Sequence, residues 1–106
     1  MKIKIEYGDN MELDENSLKL IKKCEDKEID TNVMGACTVM LKEMERGEID
    51  IGKDMPSESY MKMAENIAPE DVPRVLKMAF KIKERGDVDP ELKIAANRLI
   101  RAIEQL

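Results

Sequence analysis

The chain has 106 residues, of which 39% are charged and 42% hydrophobic, and it carries a formal net charge of −5 and no histidine. The length is that of one domain, and the lack of histidine excludes Ser-His-Asp and Cys-His catalysis and histidine-ligated zinc or haem. Two cysteines alone cannot complete a tetrahedral thiolate site. We therefore expect a protein that is not an enzyme and that has no cofactor, metal ion or small-molecule substrate.

Apolar segments in this sequence are short. No segment approaches the roughly eighteen apolar residues that a membrane span requires, and the N-terminal MKIKIEYGD is too polar for a signal peptide. We expect a cytoplasmic protein with no membrane contact, in which Cys24 and Cys37 are free thiols. High lysine and glutamate content indicates a thermophilic prokaryotic source, although nine methionines oppose the thermophile pattern.

Charged and apolar residues alternate in the first seven residues, MKIKIEY, as they do in a half-buried strand. Residues 8–10 are Gly-Asp-Asn, which suit a tight turn. Both a lone strand and a short hairpin that returns through residues 11–13 are compatible with this pattern. Alternation recurs at residues 48–52, EIDIG, which could pair with the first strand.

Helices are predicted for most of the remaining chain. Asp14 or Asn16 can cap the first, and Asp30 or Thr31 can cap the second, which ends at Gly47. The residues expected to face inward are Leu18, Leu20, Ile21 and Cys24 in the first helix, and Val33, Met34, Cys37, Met40, Leu41 and Met44 in the second.

The segment VMGACTVML, residues 33–41, is the most apolar in the chain. Cys37 lies beyond the first turn, where the helix dipole no longer lowers a thiol pKa appreciably, so a nucleophilic role is not expected. We interpret the segment as a core helix. Gly35, Ala36 and Cys37 would form a seam of small residues that a neighbouring element approaches closely.

Proline and glycine divide the second half of the chain. Ser57 can cap a short helix with one apolar face, Pro69 and Pro73 suit the first turn of a fourth helix, and that helix ends near Gly86. The expected inner faces are Tyr60, Met63, Ala64 and Ile67 in the third helix, and Val72, Val75, Leu76, Ala79, Phe80 and Lys83 in the fourth.

The start of the last helix has the clearest signal, with Asp89 as the cap, Pro90 at the first position and Glu91 in the first turn. Because only a short connection separates it from the fourth helix, the two are expected to form an antiparallel hairpin. Its inner face would comprise Leu92, Ala95, Ala96, Leu99 and Ile103.

These patterns predict a mainly α protein, with about five helices in a small bundle that ends in the antiparallel helical hairpin and with a short N-terminal β-strand or hairpin. We expect a single domain over residues 1–106. It would comprise a short β element (1–13), an acidic helical part (14–68) and a basic helical hairpin (69–106).

Charge is unevenly distributed along the chain, since residues 1–73 carry a net −8 and residues 74–106 a net +3. The basic hairpin could pack beside the acidic helices of its own chain or of a second copy. Alternatively, its lysines and arginines could bind nucleic acid, or the acidic part could mimic nucleic acid and inhibit a protein that binds it. The low pI, near 4.9, and the scarcity of aromatic residues oppose direct nucleic-acid binding.

The last helix has a wider apolar stripe than one side of a helical hairpin normally buries, and a stripe left exposed marks a contact site. We predict that the protein binds a protein partner, in a homodimer or a hetero-complex, through apolar helix faces and charge complementarity. Nucleic acid is the less favoured partner. The predicted partner-binding residues are Ile94, Arg98, Ile100, Arg101 and Leu106.

Overall fold

The computed structural model describes residues 2–4, 12–47, 49 and 60–106. The protein is mainly helical, as the sequence predicted, with five α-helices in these residues. They are α1 (Glu15–Asp26), α2 (Thr31–Arg46), α3 (Tyr60–Glu65), α4 (Val72–Glu84) and α5 (Pro90–Glu104). A 3-10 helix, Pro69–Asp71, leads directly into α4.

Two short strands precede the helices. Strand β1 (Lys2–Lys4) pairs antiparallel with β2 (Glu12–Asp14), and Ile3 lies opposite Leu13. The turn expected at residues 8–10 and the cap expected at Ser57 lie outside the described residues. The alternating segment at residues 48–52 is described only at Ile49.

Aspartate side chains cap the first two long helices. The Asp14 Oδ1 atom accepts a 2.8 Å hydrogen bond from the backbone N–H of Ser17, and the Asp30 Oδ1 atom accepts a 2.9 Å bond from that of Val33. These bonds satisfy amide groups that have no carbonyl partner in the first turn of a helix. Of the two candidate caps predicted for each helix, the structure therefore shows Asp14 rather than Asn16 and Asp30 rather than Thr31.

Proline positions define the other two long helices. Pro73 lies in the first turn of α4 and Pro90 is the first residue of α5, where a missing N–H costs no intrahelical hydrogen bond. Asp89 precedes Pro90 as the cap residue, although its side chain makes no capping hydrogen bond. The predicted start of the last helix is thus confirmed.

One apolar core joins the helices. The buried face of α4 is wider than the predicted stripe, because Met78 and Ile82 are also buried, whereas Lys83 is exposed. The largest side chains that are almost completely buried are Met40, Leu41, Met44, Leu76, Met78, Ile82, Leu92, Leu99 and Ile103.

Helix α5 is central to the bundle, since it contacts α1, α2 and α4. The Arg46 guanidinium, at the end of α2, donates hydrogen bonds of 3.1 Å to Asp89 and 3.2 Å to Glu91, at the start of α5. Because the end of one helix meets the start of the other, α2 and α5 run antiparallel. In the described part of the chain, no helix is long and apolar enough to cross a membrane.

Candidate partner-binding groove

An open groove of about 800 Å³ runs between α2 and α5. Positions of α2 one turn apart form one wall, and positions of α5 with the same periodicity form the other. The described residues that line it are Thr31, Asn32, Gly35, Ala36 and Val39 from α2, and Ile94, Asn97, Arg98, Arg101, Ala102 and Gln105 from α5.

Two large apolar side chains in this groove are exposed. Ile94 is 61% and Val39 41% exposed, although both lie on helices that bury their opposite faces in the core. Met61, on α3, is the other large apolar residue of the described chain with comparable exposure, at 38%. Two of these three residues therefore line the same groove.

Gly35 leaves the α2 wall of the groove open. A Cβ atom added there would meet no atom within 4 Å apart from those of the local helix backbone. Glycine in a helix interior costs about 1 kcal/mol relative to alanine, and no packing contact within the described chain requires it. The small-residue seam predicted at Gly35, Ala36 and Cys37 is therefore wrong at Gly35, since no neighbour approaches it, while Ala36 and Cys37 are buried.

The charge of the groove is opposite in sign to that of the whole protein. Arg98 and Arg101 are exposed, and no Asp or Glu is among the described residues that line the groove. Because the two arginines are three residues apart, they lie on the same side of α5. Two arginines thus line a groove of a protein whose net charge is −5.

The structure brings together three of the five predicted contact residues, Ile94, Arg98 and Arg101, in this groove. Ile100 is only 6% exposed and belongs to the core. Leu106 is partly buried against the core and is not among the residues that line the groove. The expected exposure is therefore confirmed at Ile94 but wrong at Ile100, which lies in the core between α5 and the helices that contact it, α1, α2 and α4.

Sequence reasoning missed the contribution of α2, namely Gly35 and Val39. The uncharged segment around Cys37 concealed them, because an apolar helix on its own indicates burial on all sides. The available signal was the glycine, a poor helix former in the middle of an otherwise regular helix.

The thiols offer no reactive centre. Burial raises the pKa of the Cys37 thiol to about 12 and that of Cys24 to about 11. Both cysteines are free and buried, so at neutral pH they remain protonated and weakly nucleophilic. In the described residues, no three Cys, Asp or Glu side chains are grouped so that they could hold a metal ion.

Comparisons with protein-family models, with curated proteins and with solved structures gave no match to this chain.

Proposed function

We propose that this protein is a non-enzymatic interaction module, which binds a protein partner through the groove between α2 and α5. The observation that carries the proposal is the coincidence of two exposed apolar residues, Val39 and Ile94, with the open position at Gly35. Apolar side chains gathered in one concave surface favour contact with apolar groups of another molecule. The partner would present apolar side chains to this surface and acidic side chains to Arg98 and Arg101.

The chemistry of the groove supports binding rather than catalysis. Its described lining contains no carboxylate, lysine, cysteine or tyrosine, the groups that would be expected to act as acid, base or nucleophile in a chain without histidine. Its polar residues are amides, one threonine and two arginines, which are suited to forming hydrogen bonds with a partner.

Site-specific photo-crosslinking in the source organism tests the proposal. The photoreactive p-benzoylphenylalanine replaces Ile94 in one variant and, as the matched control, the exposed Met61 of α3 in another. We expect protease-sensitive adducts of defined mass from the groove position and none of that mass from the control. No adduct from the groove position, or the same adducts from both positions, would contradict the proposal. An adduct of twice the chain mass would indicate self-association.

Nucleic acid is the second candidate partner, because Arg98 and Arg101 lie together and exposed on α5. It predicts binding that weakens steeply with salt and that is lost in the Arg98→Glu/Arg101→Glu variant. The net charge of −5 opposes it, since the whole protein repels a polyanion. Adducts at position 94 that disappear after nuclease treatment would favour this alternative over a protein partner.

A further inference from the structure

The groove is long enough to hold a helix of about three turns. The lining residues of α2 extend over about 12 Å and those of α5 over about 16 Å along the helix axes, at about 1.5 Å per residue. A third helix of about three turns matches this length and can pack in the channel between two antiparallel helices. Amphipathic helices bind in grooves of this kind by inserting apolar residues one turn apart.

Gly35 provides the space for such an insertion. The absence of a side chain lets a partner side chain approach the α2 backbone, with Ala36 and Ala102 as the other small residues of the lining. Val39 and Ile94 supply exposed apolar surface to the same groove. An aliphatic side chain of the partner would therefore bury apolar surface beside Gly35, against Val39 and Ile94.

The arginines define the charge of the occupant. Within the described residues, the side chains of Arg98 and Arg101 form no hydrogen bond or ion pair. Each guanidinium group can therefore bind a carboxylate in a bidentate manner. A second copy that docked by the same groove would bring its own arginines to the same patch under two-fold symmetry, and like charges would then repel. A nucleic acid would place charged phosphates against Val39 and Ile94.

We infer that the occupant is an amphipathic helix of another protein, with aliphatic residues at i, i+3 or i+4, and i+7, and with acidic residues directed at Arg98 and Arg101. This inference rests on the proposed function and specifies the partner's chemistry.

Selection from a displayed library of helix-forming peptides of random surface sequence tests the inference. The bait is the full chain, and peptides that also bind the Gly35→Leu variant are removed, because leucine fills the groove at a position where an added Cβ meets nothing. Circular dichroism checks that this variant keeps its helices. We expect the enriched peptides to share the aliphatic spacing and to carry acidic residues.

Charge reversal provides the second arm. By fluorescence anisotropy, we expect the affinity of an enriched peptide to fall about tenfold for each of Arg98→Glu and Arg101→Glu, since attraction becomes repulsion. Changing the peptide's glutamates to lysines should restore binding to the variants. Reversal of the exposed Arg74, on α4 and outside the groove lining, is the control and should leave affinity unchanged.

Three results would overturn the inference: no enrichment, enrichment of peptides without acidic residues, or binding that is insensitive to Gly35→Leu. The proposed function fails separately, since it requires protein adducts at position 94. If photo-crosslinking gives protein adducts but the peptide selection yields no acidic helical peptides, the partner is a protein but not an acidic amphipathic helix.

Discussion

The Nζ atom of Lys23 donates a 2.7 Å hydrogen bond to the backbone carbonyl oxygen of Glu104, 81 residues away in the sequence. The bond joins the last turn of α1 to the last turn of α5. There, carbonyl oxygens lack intrahelical donors, and the negative end of the helix dipole attracts a cation.

We expect Lys23→Met to lower the free energy of unfolding by about 0.5–1 kcal/mol, because an exposed hydrogen bond of this kind contributes modestly. Urea denaturation measures the change. Lys22→Met is the matched control, since Lys22 is the exposed neighbour on the same helix. Equal losses in the two variants would show that the bond to Glu104 adds nothing to stability.

A second contact between distant elements centres on Arg46, whose guanidinium lies 2.9 Å from Glu43, 3.1 Å from Asp89 and 3.2 Å from Glu91. The hydrogen bond and charge of Glu43, followed by the hydrogen bond of Asp89, raise the pKa of Arg46. We expect Arg46→Met to destabilise the protein at low ionic strength and the loss to shrink near ~1 M salt, where exposed charges are screened. A loss in urea denaturation that does not depend on salt would contradict an electrostatic origin. Arg74→Met is the control.

The Arg46 contact runs opposite to the charge distribution along the sequence. The sequence left open whether the basic hairpin packs beside the acidic helices of its own chain or meets those of a second copy. In this contact, the cation comes from the acidic part of the chain, and the carboxylates of Asp89 and Glu91 come from the hairpin. Net charges of long segments therefore did not predict this contact, which depends on individual side chains at the end of α2 and the start of α5.

Local signals predicted the helix starts well, because the interactions of a cap are made within one turn. Asp14 and Asp30 illustrate this, since each side chain accepts a hydrogen bond from the amide three residues further on. Pro90 has no N–H that would need a partner at the first helical position. The groove was only half predicted. Apolar periodicity identifies the buried face of one helix, but it does not reveal that neighbours on both flanks of α5 bury Ile100 while Ile94 remains exposed.

Neighbouring residues on α2 allow a direct test of burial. Met40 is completely buried, whereas Val39 is 41% exposed in the groove. We expect Met40→Ala to cost about 2–5 kcal/mol, because it removes core contacts and leaves a cavity. Val39→Ala should change stability by about 0.5 kcal/mol or less, as exposed substitutions generally do. Comparable losses for both variants in urea denaturation would show that Val39 is packed and unavailable to a partner.

Because the two thiols are buried, we expect the free energy of unfolding to depend on pH in the alkaline range. Burial raises the pKa of Cys24 from 9.0 to about 11 and that of Cys37 from 9.0 to about 12. Above pH 9.0 the unfolded chain loses thiol protons that the folded chain retains, so the free energy of unfolding falls as pH rises toward these values. Their contribution to stability is fully present below pH 9.0.

Urea denaturation from pH 8 to about 11 measures the fall, and the Cys24→Ala/Cys37→Ala variant separates the thiols from lysine and tyrosine. We expect the variant to lose stability less steeply than the wild type, whatever its stability at pH 8. Parallel slopes would contradict the raised thiol pKa values. Slow reaction of both thiols with an aromatic disulfide at neutral pH provides an independent check of burial.

Gly35 is the position at which stability and the proposed binding make opposite demands. We expect Gly35→Ala to raise the free energy of unfolding by about 0.5–1 kcal/mol, because alanine favours the helix and its Cβ meets nothing within 4 Å. Thermal and urea denaturation measure the gain, with the exposed Thr31→Ala at the helix start as a comparison. If alanine stabilises the chain but lowers the yield of the photo-crosslinked adduct at position 94, the glycine is required for partner binding in the groove. If alanine destabilises the chain, Gly35 has a structural role and is not kept open for a partner.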